Sequence, residues 1–581
     1  MVDRSLPEKN THVLTFLGRG RGIAWGFGLL APLLCGLLAV ALGQDANWDF
    51  RNYHWYNAYA FLNNRYALDF LPSQLPFFYN PLLDVPFYLL ASHVPARVAG
   101  FALGFVQGLN APLVFALAFT ALAGITPRRR AVLSVLLATL GVLGGGGIGL
   151  IGTTFYDNVT SLGVLGAMIL LLRAGRDPAA SLGRVALRGF VSGLPMGVAV
   201  GLKIPCAFFA VALGAGTLVF PGTVVVRLAR AAGFGVGVLV GFAVVFGPWG
   251  WFLATHFGNP FFPYFNDVFQ SPFAPSTSFR DTKFVPSTWT DRLLFPFLFL
   301  HDPHRVGEIL WRDARVPILY VLLPLAVGMR LFFWRHPDER RDPFSLFHTW
   351  IPAFAGMTTR ERAGTNFYRP TPLATPEARL FLLTVGALAY GLWLMSAAIY
   401  RYLLPLEMLT PLLIALTVDL LPLGRRGKIG IVIVLLGTVA ISVSPGNWTR
   451  RAAWTDRFVE VTWPKEPLAE GTMILMATQE PYAHVIPSLP PSLPVVRIES
   501  NIASPRDGKG LNALIAERVA HHKGPFVILI PSWSLDYVGV LLKGFHLALV
   551  PDSCQDVQDH VYDSQLVLCR VARRPLLTRS S

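Results

Sequence analysis

Charge is what this sequence has least of. Asp, Glu, Lys and Arg make up 14% of its 581 residues, against roughly 25% in ordinary soluble domains. A soluble fold cannot hide the 53% of the chain that is hydrophobic with so little polar surface. Cysteine is scarce as well, at 4 residues: Cys35 and Cys206 fall inside apolar runs as packing residues. Missing altogether are a Gly-rich phosphate loop, zinc-ligand spacing and a Ser-His-Asp order, so a nucleotide-driven pump or a soluble-type hydrolase gains no support.

Acid is the scarcer sign, with 34 Asp and Glu against 49 Lys and Arg, a net charge of +15. Such an excess often marks a nucleic-acid partner, but here it sits in short breaks between apolar runs. Arg19 and Arg21, Arg128 to Arg130, Arg173 to Arg188, Arg227 and Arg230, Arg330 to Arg341 and Arg425 to Lys428 all fall there. Basic loops of this kind belong on the cytoplasmic side of a membrane, and no nucleic-acid partner is expected.

The runs themselves are about 20 residues long, enough to cross a hydrocarbon core of ~30 Å as helix. They lie near 22–43, 97–124, 131–151, 158–173, 189–203, 204–221, 232–254, 313–333, 380–398, 402–421 and 429–445. The expectation is an all-α polytopic membrane protein of about eleven transmembrane helices. Residues 1–21 form a cytoplasmic amino terminus, 22–445 the membrane core with an external loop at 44–96, and the carboxyl terminus lies outside. The first span reads as an uncleaved anchor, longer than a signal-peptide core. Counting Asn80 to Leu90 as a crossing would invert every later basic loop, so it reads as an interfacial helix.

Two segments break the pattern. Residues 336–364, HPDERRDPFSLFHTWIPAFAGMTTRERAG, lack helical periodicity and resemble the translated form of a dispersed bacterial repeat element. An insertion in a cytoplasmic loop without catalytic content is tolerated because long loops add little closure entropy. From 446 to 581 hydropathy falls, and MILMATQ, PVVRI, FVILI and HLALV alternate with helical LNALIAERVAHH. That pattern predicts a small C-terminal α/β extracytoplasmic domain. Cys554 and Cys569 lie in it, on the oxidising side, where a disulfide is expected.

Most of the chemistry is in the loop after the first span, QDANWDFRNYHWYNAYAFLNNRYALDFLPSQLPFFYNPLLDVPFYLL, Gln44 to Leu90. On a helical wheel Trp48, Trp55, Tyr59 and Leu62 share one face, and Asp49, Tyr56 and Asn63 another about 100° away. This predicts an amphipathic helix on the outer membrane surface, aromatic side down. The bland alternative is an interfacial anchor whose acids are merely solvated.

Asp49 four residues before Tyr53, followed by the YNPL segment with Asn80, resembles the GT-C superfamily of polyprenyl-phosphate-dependent glycosyltransferases. Asp157 in TTFYDN stands where those enzymes often carry a second external acid. GLPMGVAVGLKIP, ending at Lys203, is similar to their glycine-rich helix, and IYRYLLPLEMLTPLL, with Arg401, to their late RYLLP segment. The resemblance spans roughly 22–445 and implies GT-C-like architecture, a polyprenyl-phosphate sugar donor, Asp49, Asp45 and Asp157 as candidate catalytic acids, and Arg401, Lys203, Tyr53, Tyr56 and Asn80 as substrate-binding residues. Asn80 departs from the proline or lysine many members place there.

The chemistry agrees. Sugar transfer needs a carboxylate to take the acceptor proton, and Asp49 is the favoured base over Asp45. The departing phosphate needs a cation, which Arg401 or Lys203 would supply at a helix end. Snorkelling is the alternative for each and the stronger one for Lys203. A divalent metal between carboxylates is compatible with this set, and no spacing requires one. The aromatics of GNPFFPYFNDVF and the loop through Arg280, Asp281, Lys283 and Trp289 suit a sugar platform or, more simply, the membrane interface. Competing functions are a lipid-linked glycan transporter or flippase, an O-antigen ligase or polymerase, and a non-catalytic scaffold for envelope assembly; acids concentrated in external loops favour the enzyme. The topology has a direct test. Single cysteines near Asn64 and Arg280 are expected to react with impermeant thiol reagents applied outside, and those at Arg129 and Arg426 to stay unlabelled. External labelling of Arg129→Cys would overturn the map.

Overall fold

Long apolar runs with no polar neighbours leave backbone N–H and C=O groups only their own helix to bond to, and helix dominates the first three quarters of the chain. The computed structural model describes residues 11–175, 180–277, 279, 281–335, 373–504, 508–562 and 565–574. The expected insertion at 336–364 and Arg280 lie outside the described residues.

In chain order the helices of the body are α1 (Thr11–Leu42), α2 (Trp55–Leu62), α3 (Val85–Ala91), α4 (Ala96–Gly108), α5 (Asn110–Ala121), α6 (Pro127–Val142), α7 (Gly145–Leu150), α8 (Asp157–Ala174), α9 (Leu182–Leu202), α10 (Ala207–Gly216), α11 (Val224–Phe257), α12 (Asn266–Phe269), α13 (Trp289–His301), α14 (Arg315–Arg335), α15 (Pro376–Ser396), α16 (Leu404–Val418) and α17 (Arg425–Ser442). Among the described residues 8 helical stretches are long and apolar enough to cross a membrane: Gly22–Leu42, Ala96–Ala121, Asp157–Ala174, Leu182–Leu202, Val224–Phe257, Arg315–Phe332, Pro376–Ser396 and Tyr400–Val418. By length and composition this is a membrane protein. Leu29, Leu37, Val236, Leu239, Val244 and Trp251 are exposed on α1 and α11, as expected where lipid is the solvent.

Three of the eleven expected spans fall short of that measure. The run 131–151 is broken at Leu143 between α6 and α7, and 204–221 is regular only over the ten residues of α10. The run 429–445 lies in α17, whose first turn holds Arg425, Arg426 and Lys428.

Small residues set the closest packing. Gly189, Gly193 and Gly197 recur every fourth residue on α9, and Gly233, Gly237 and Gly241 do so on α11. A β-carbon at Gly193 would run into the Phe234 carbonyl, at Gly197 into that of Val238, and at Gly237 into that of Phe190. With no hydrophobic gain between helices in lipid, such backbone contact is what holds them. The seam fixes the end of α9, where Lys203 begins the next turn. The crossing of α1 and α4 uses the same device, with Gly104 and Gly108 against Ala39 and Cys35.

After α17 the chain builds a seven-stranded mixed sheet from β3 (Val461–Thr462), β4 (Met473–Met476), β5 (Val495–Arg497), β6 (Phe526–Pro531), β7 (Leu547–Leu549), β8 (Gln555–Asp559) and β9 (Gln565–Arg573), with helices α18 (Leu511–His521) and α19 (Leu535–Lys543). The order is β3-β8-β9-β6-β4-β5, with β7 also on β9. Strand β4 runs parallel to β5 and β6, whereas β9 is antiparallel to its neighbours. Residues of β4, β5 and β6 are buried throughout, which is why they read as continuous apolar runs. Cys554 and Cys569 are joined by a disulfide.

The domain grips the loop after α1. Strand β1 (Gln44–Asp45) pairs with β2 (Arg450–Arg451), and Phe70 bridges to Val496 at the sheet edge. This grip corrects the expected surface helix. Trp55 and Tyr59 are buried, with Trp55 against Tyr88 and Phe458, so the middle of the aromatic face meets protein, while Trp48 and Leu62 at its ends stay exposed; Tyr56 is buried as well. A π-helical turn at Phe50–His54 adds a residue to the repeat and rotates Tyr56 and Asn63 away from Asp49, which a regular wheel cannot foresee. The glycine seam is testable by size. Gly197→Leu is expected to cost the well-packed state 1–3 kcal/mol or more, as overpacking typically does at about that size, seen as lost monodisperse protein in detergent. Gly235→Ala, whose β-carbon meets nothing within 4 Å, is expected to fold normally.

Candidate functional site

The candidate residues come from segments far apart in sequence. Asp49 is the second residue of the helical stretch that begins at Trp48, just before the π-turn. Asp157 opens α8, behind Tyr156 in the left-handed region at φ 59°. Lys203 ends α9, and Arg401 sits in the 3-10 turn Tyr400–Leu403 that leads into α16.

They meet. Lys203 Nζ lies 2.6 Å from Asp157 Oδ1 and donates to the Phe155 carbonyl at 2.8 Å. Arg401 Nη1 stands 3.5 Å from Asp49 Oδ2 and 3.5 Å from Asp157 Oδ2, with its guanidinium 4.0 Å over the Phe155 ring. Tyr53 donates to Asp49 Oδ2 at 3.2 Å, the i to i+4 reach expected along a helix. Side-chain exposures run from 4% for Asp157 to 16% for Asp49, so Asp49 is the acid most open to an incoming molecule. Burial lifts the Asp49 carboxyl above the usual carboxylate range, while Arg401 and then Lys203 pull it down. A small cavity beside the cluster is lined by Asp157, Thr160, Ser161, Lys203, Arg401 and Tyr402.

Arg401 is held from behind. The Glu407 carboxylate accepts from the Gly147 and Gly146 amides at 2.8 and 3.2 Å, fixing the first turn of α16 against α7. The Tyr400 amide bonds the Val306 carbonyl at 2.8 Å, and its ring lies 3.9 Å from that of Trp311.

Other expected residues stand elsewhere. Asp45 is buried and accepts from Asn47 Nδ2 at 2.7 and 2.9 Å, from Thr154 Oγ1 at 2.8 Å and from the Thr154 amide at 2.8 Å. It anchors the turn before Asp157 and faces no open space. Tyr56 donates to Asp69 at 2.8 Å, part of the contact with the C-terminal domain through the Val495 amide on Asp69. Asn80 donates to the Gly201 and Val245 carbonyls at 3.0 and 3.1 Å, stapling the start of α3 to α9 and α11. None of the three lies among the charges.

Phe155, Tyr402, Tyr79 and Tyr264 escaped the sequence reading. The Tyr79 and Tyr264 hydroxyls are 2.9 Å apart, and Tyr79 packs edge-on to Tyr53, so part of the GNPFFPYFNDVF loop reaches the site rather than the interface alone. Its signal was a lone tyrosine among phenylalanines. Among the described residues no cluster of three His, Cys, Asp or Glu side chains is spaced to hold a metal ion.

What converges is one slightly exposed carboxylate beside a buried acid and two cations, with aromatic rings around them. That set can take a proton at Asp49 and hold a phosphate or carboxylate at Arg401. No protein-family model, curated protein or solved structure matches the chain. The two loop acids separate experimentally. Asp45→Ala strands the Thr154 and Asn47 donors, so stability is expected to fall by about 1–3 kcal/mol, read as a lower unfolding midpoint in nanodiscs. Asp49→Ala is expected to cost less, because Arg401 keeps Asp157 as a counter-charge; an equal or larger loss would make Asp49 as much an anchor as Asp45.

Proposed function

We propose that this chain is a GT-C-like glycosyltransferase of a bacterial cytoplasmic membrane, with about eleven transmembrane helices and its C-terminal domain and reaction centre on the external face. The donor is a polyprenyl-phosphate sugar, and the acceptor is a hydroxyl of an envelope glycan, lipid or protein. The observation that carries this reading is the meeting of Asp49 with Arg401, Asp157 and Lys203 at the ends of helices. A lipid phosphate lying at the membrane surface reaches such a place without leaving the bilayer.

The distances divide the labour. Lys203 is committed to Asp157 at 2.6 Å, whereas Arg401 is shared between two acids at 3.5 Å each. Arg401 is therefore the cation a phosphate recruits, and its recruitment releases Asp49. The acceptor hydroxyl gives its proton to Asp49 as its oxygen bonds the anomeric carbon. The bond from that carbon to the phosphate oxygen breaks, and the electron pair leaves with the polyprenyl phosphate, whose growing charge Arg401 stabilises.

The test follows sugar from a radiolabelled polyprenyl-phosphate donor to membrane acceptors in vesicles with the outer face exposed. Asp49→Asn keeps the shape and removes the proton acceptor, so transfer is expected to fall about 10²-fold or more at normal expression. Arg401→Ala is expected to cut transfer and Arg401→Lys to restore part of it, because charge survives while the fork does not. The pH profile has a definite sign. A base works only when ionised, so with the Asp49 carboxyl raised by burial the acid limb is expected above the ordinary aspartate value of about 3.9. Full activity in Asp49→Asn would remove that residue from catalysis, and absence of transfer by the intact protein would favour a scaffold.

A further inference from the structure

Behind the four charges lies a pair of groups that the proposed mechanism does not use. His54 closes the π-turn, and Asp84 ends the 3-10 turn Pro81–Leu83 that leads into α3. His54 Nδ1 is 2.6 Å from Asp84 Oδ1, with exposures of 5% and 4%. The other ring nitrogen, Nε2, is buried and has no hydrogen-bond partner among the described residues. The imidazole ring lies 4.0 Å from the ring of Tyr53 and 4.9 Å, edge-on, from that of Tyr156. Those two tyrosines are the immediate supports of the acids: Tyr53 donates to Asp49, and Tyr156 precedes Asp157 in its left-handed conformation.

We infer that His54 and Asp84 form a neutral dyad holding one shared proton, and that the imidazole is a positioning wedge keeping the supports of Asp49 and Asp157 in register.

On balance the surroundings favour neutrality, with Lys203 alone pulling Asp84 the other way. Facing the dyad are Tyr53 and Asp49 from its own helical stretch, Tyr66 from the turn after α2, Tyr156 ahead of α8, Lys203 at the end of α9 and Arg401 ahead of α16. Two cations resist a third positive charge on the imidazole, and Asp49 resists a second free carboxylate. Accordingly burial holds the His54 imidazole well below its usual range, with Lys203 and Arg401 adding to the effect. Burial also pushes the Asp84 carboxyl well above its usual range, with Asp49 adding and Lys203 opposing. In the proposed dyad Asp84 donates its proton to Nδ1 across the 2.6 Å contact, and the imidazole proton is on Nε2. An ionised pair in the same place would change the field on Asp49 and Arg401; a neutral pair locks the geometry and leaves their balance alone. The bond also ties the π-turn to α3, so that a locally unfavourable backbone repeat is held by a side chain.

The kinetic consequence rests on the proposed glycosyl transfer, but the protonation state does not, and the experiment reads both. Infrared difference spectra of the full chain in nanodiscs, wild type against Asp84→Asn at neutral pH, are expected to show one protonated-carboxyl carbonyl band lost. His54→Gln, which removes the ring acceptor, is expected to shift that same band, and it serves if Asp84→Asn does not fold. A spectrum with no protonated band assignable to Asp84 would show an ion pair and overturn the dyad. In the transfer assay, His54→Ala is expected to lower kcat by up to about a hundredfold, the scale of a misplaced reacting group, with donor KM little changed. Asp84→Asn should retain more activity than Asp84→Ala, because an amide N–H replaces the carboxyl O–H toward Nδ1. Unchanged kcat in His54→Ala would overturn the wedge, whereas a wild-type protein without transfer activity would sink the glycosyltransferase reading and leave the infrared outcome to decide the dyad.

Discussion

Two carboxylates and two cations, nearly out of water, must be brought together or not buried at all. An isolated charge taken from water into a low dielectric is far more costly than most folds tolerate. Asp49 or Asp157 alone at that place would be protonated or expelled, and Arg401 or Lys203 alone would snorkel away. Together they sum to no net charge, and each helix end that contributes one is fixed by the need to meet the others. The arrangement of α8, α9 and α16 at this end of the body follows from that constraint. The glycine seam between α9 and α11 serves it by delivering Lys203 at the right height.

The same economy runs through the body. Asp313 pairs with Arg315 at 2.8 Å, and Arg315 also donates to the Gly141 and Glu407 carbonyls. Glu407 lies on the glycine amides of α7, a backbone nest that would otherwise suit an anion from outside. At the opposite end of α16, Asp419 takes Arg379 at 2.9 Å and Lys428 at 3.5 Å. These buried charges stand in pairs, whereas Asp45 and Arg497 are held by neutral donors and carbonyls. Beside the short Lys203–Asp157 and Arg315–Asp313 contacts those of Arg401 are long and divided, and a residue held by two weak contacts is free to change partner.

Hydropathy showed the helical body, because lipid-facing and core-facing residues are both apolar, but it does not register helix breaks, so 131–151 and 204–221 read as full spans. The strand-rich tail was legible for a related reason, since β4 and β6 are buried on both faces and read as unbroken apolar strings. Asp49, Asp157, Lys203 and Arg401 were legible because each is a charge beside an apolar run, where a charge demands an explanation. Asp45 and Asn80 met the same criterion and turned out to be anchors, because the pattern shows that a polar group has a partner and not what the partner is. Asp84 was hidden inside NPLLDVPFYLL, an apolar string read as an interfacial helix, and only the fold brings His54 to it. Tyr56 was misplaced for a local reason, the π-turn, which no 3.6-residue wheel contains.

The C-terminal domain bears on the site although none of its residues is among the four charges. Phe70 joins its sheet edge, the Val495 amide bonds Asp69 at 2.9 Å, His484 reaches the Arg51 carbonyl at 3.2 Å, and Gln44 binds the Phe458 carbonyl at 3.0 Å. These contacts flank the stretch from Gln44 to Phe70 on both sides of Asp49. A π-turn is a weakly preferred backbone state, and a loop holding one would relax toward a regular helix if left in water, turning Asp49 away from Arg401. Because the domain holds this stretch at Gln44, Arg51 and Phe70 and Phe458 packs against Trp55, relaxation would cost a buried interface. The domain therefore acts on Asp49 through the backbone that carries it.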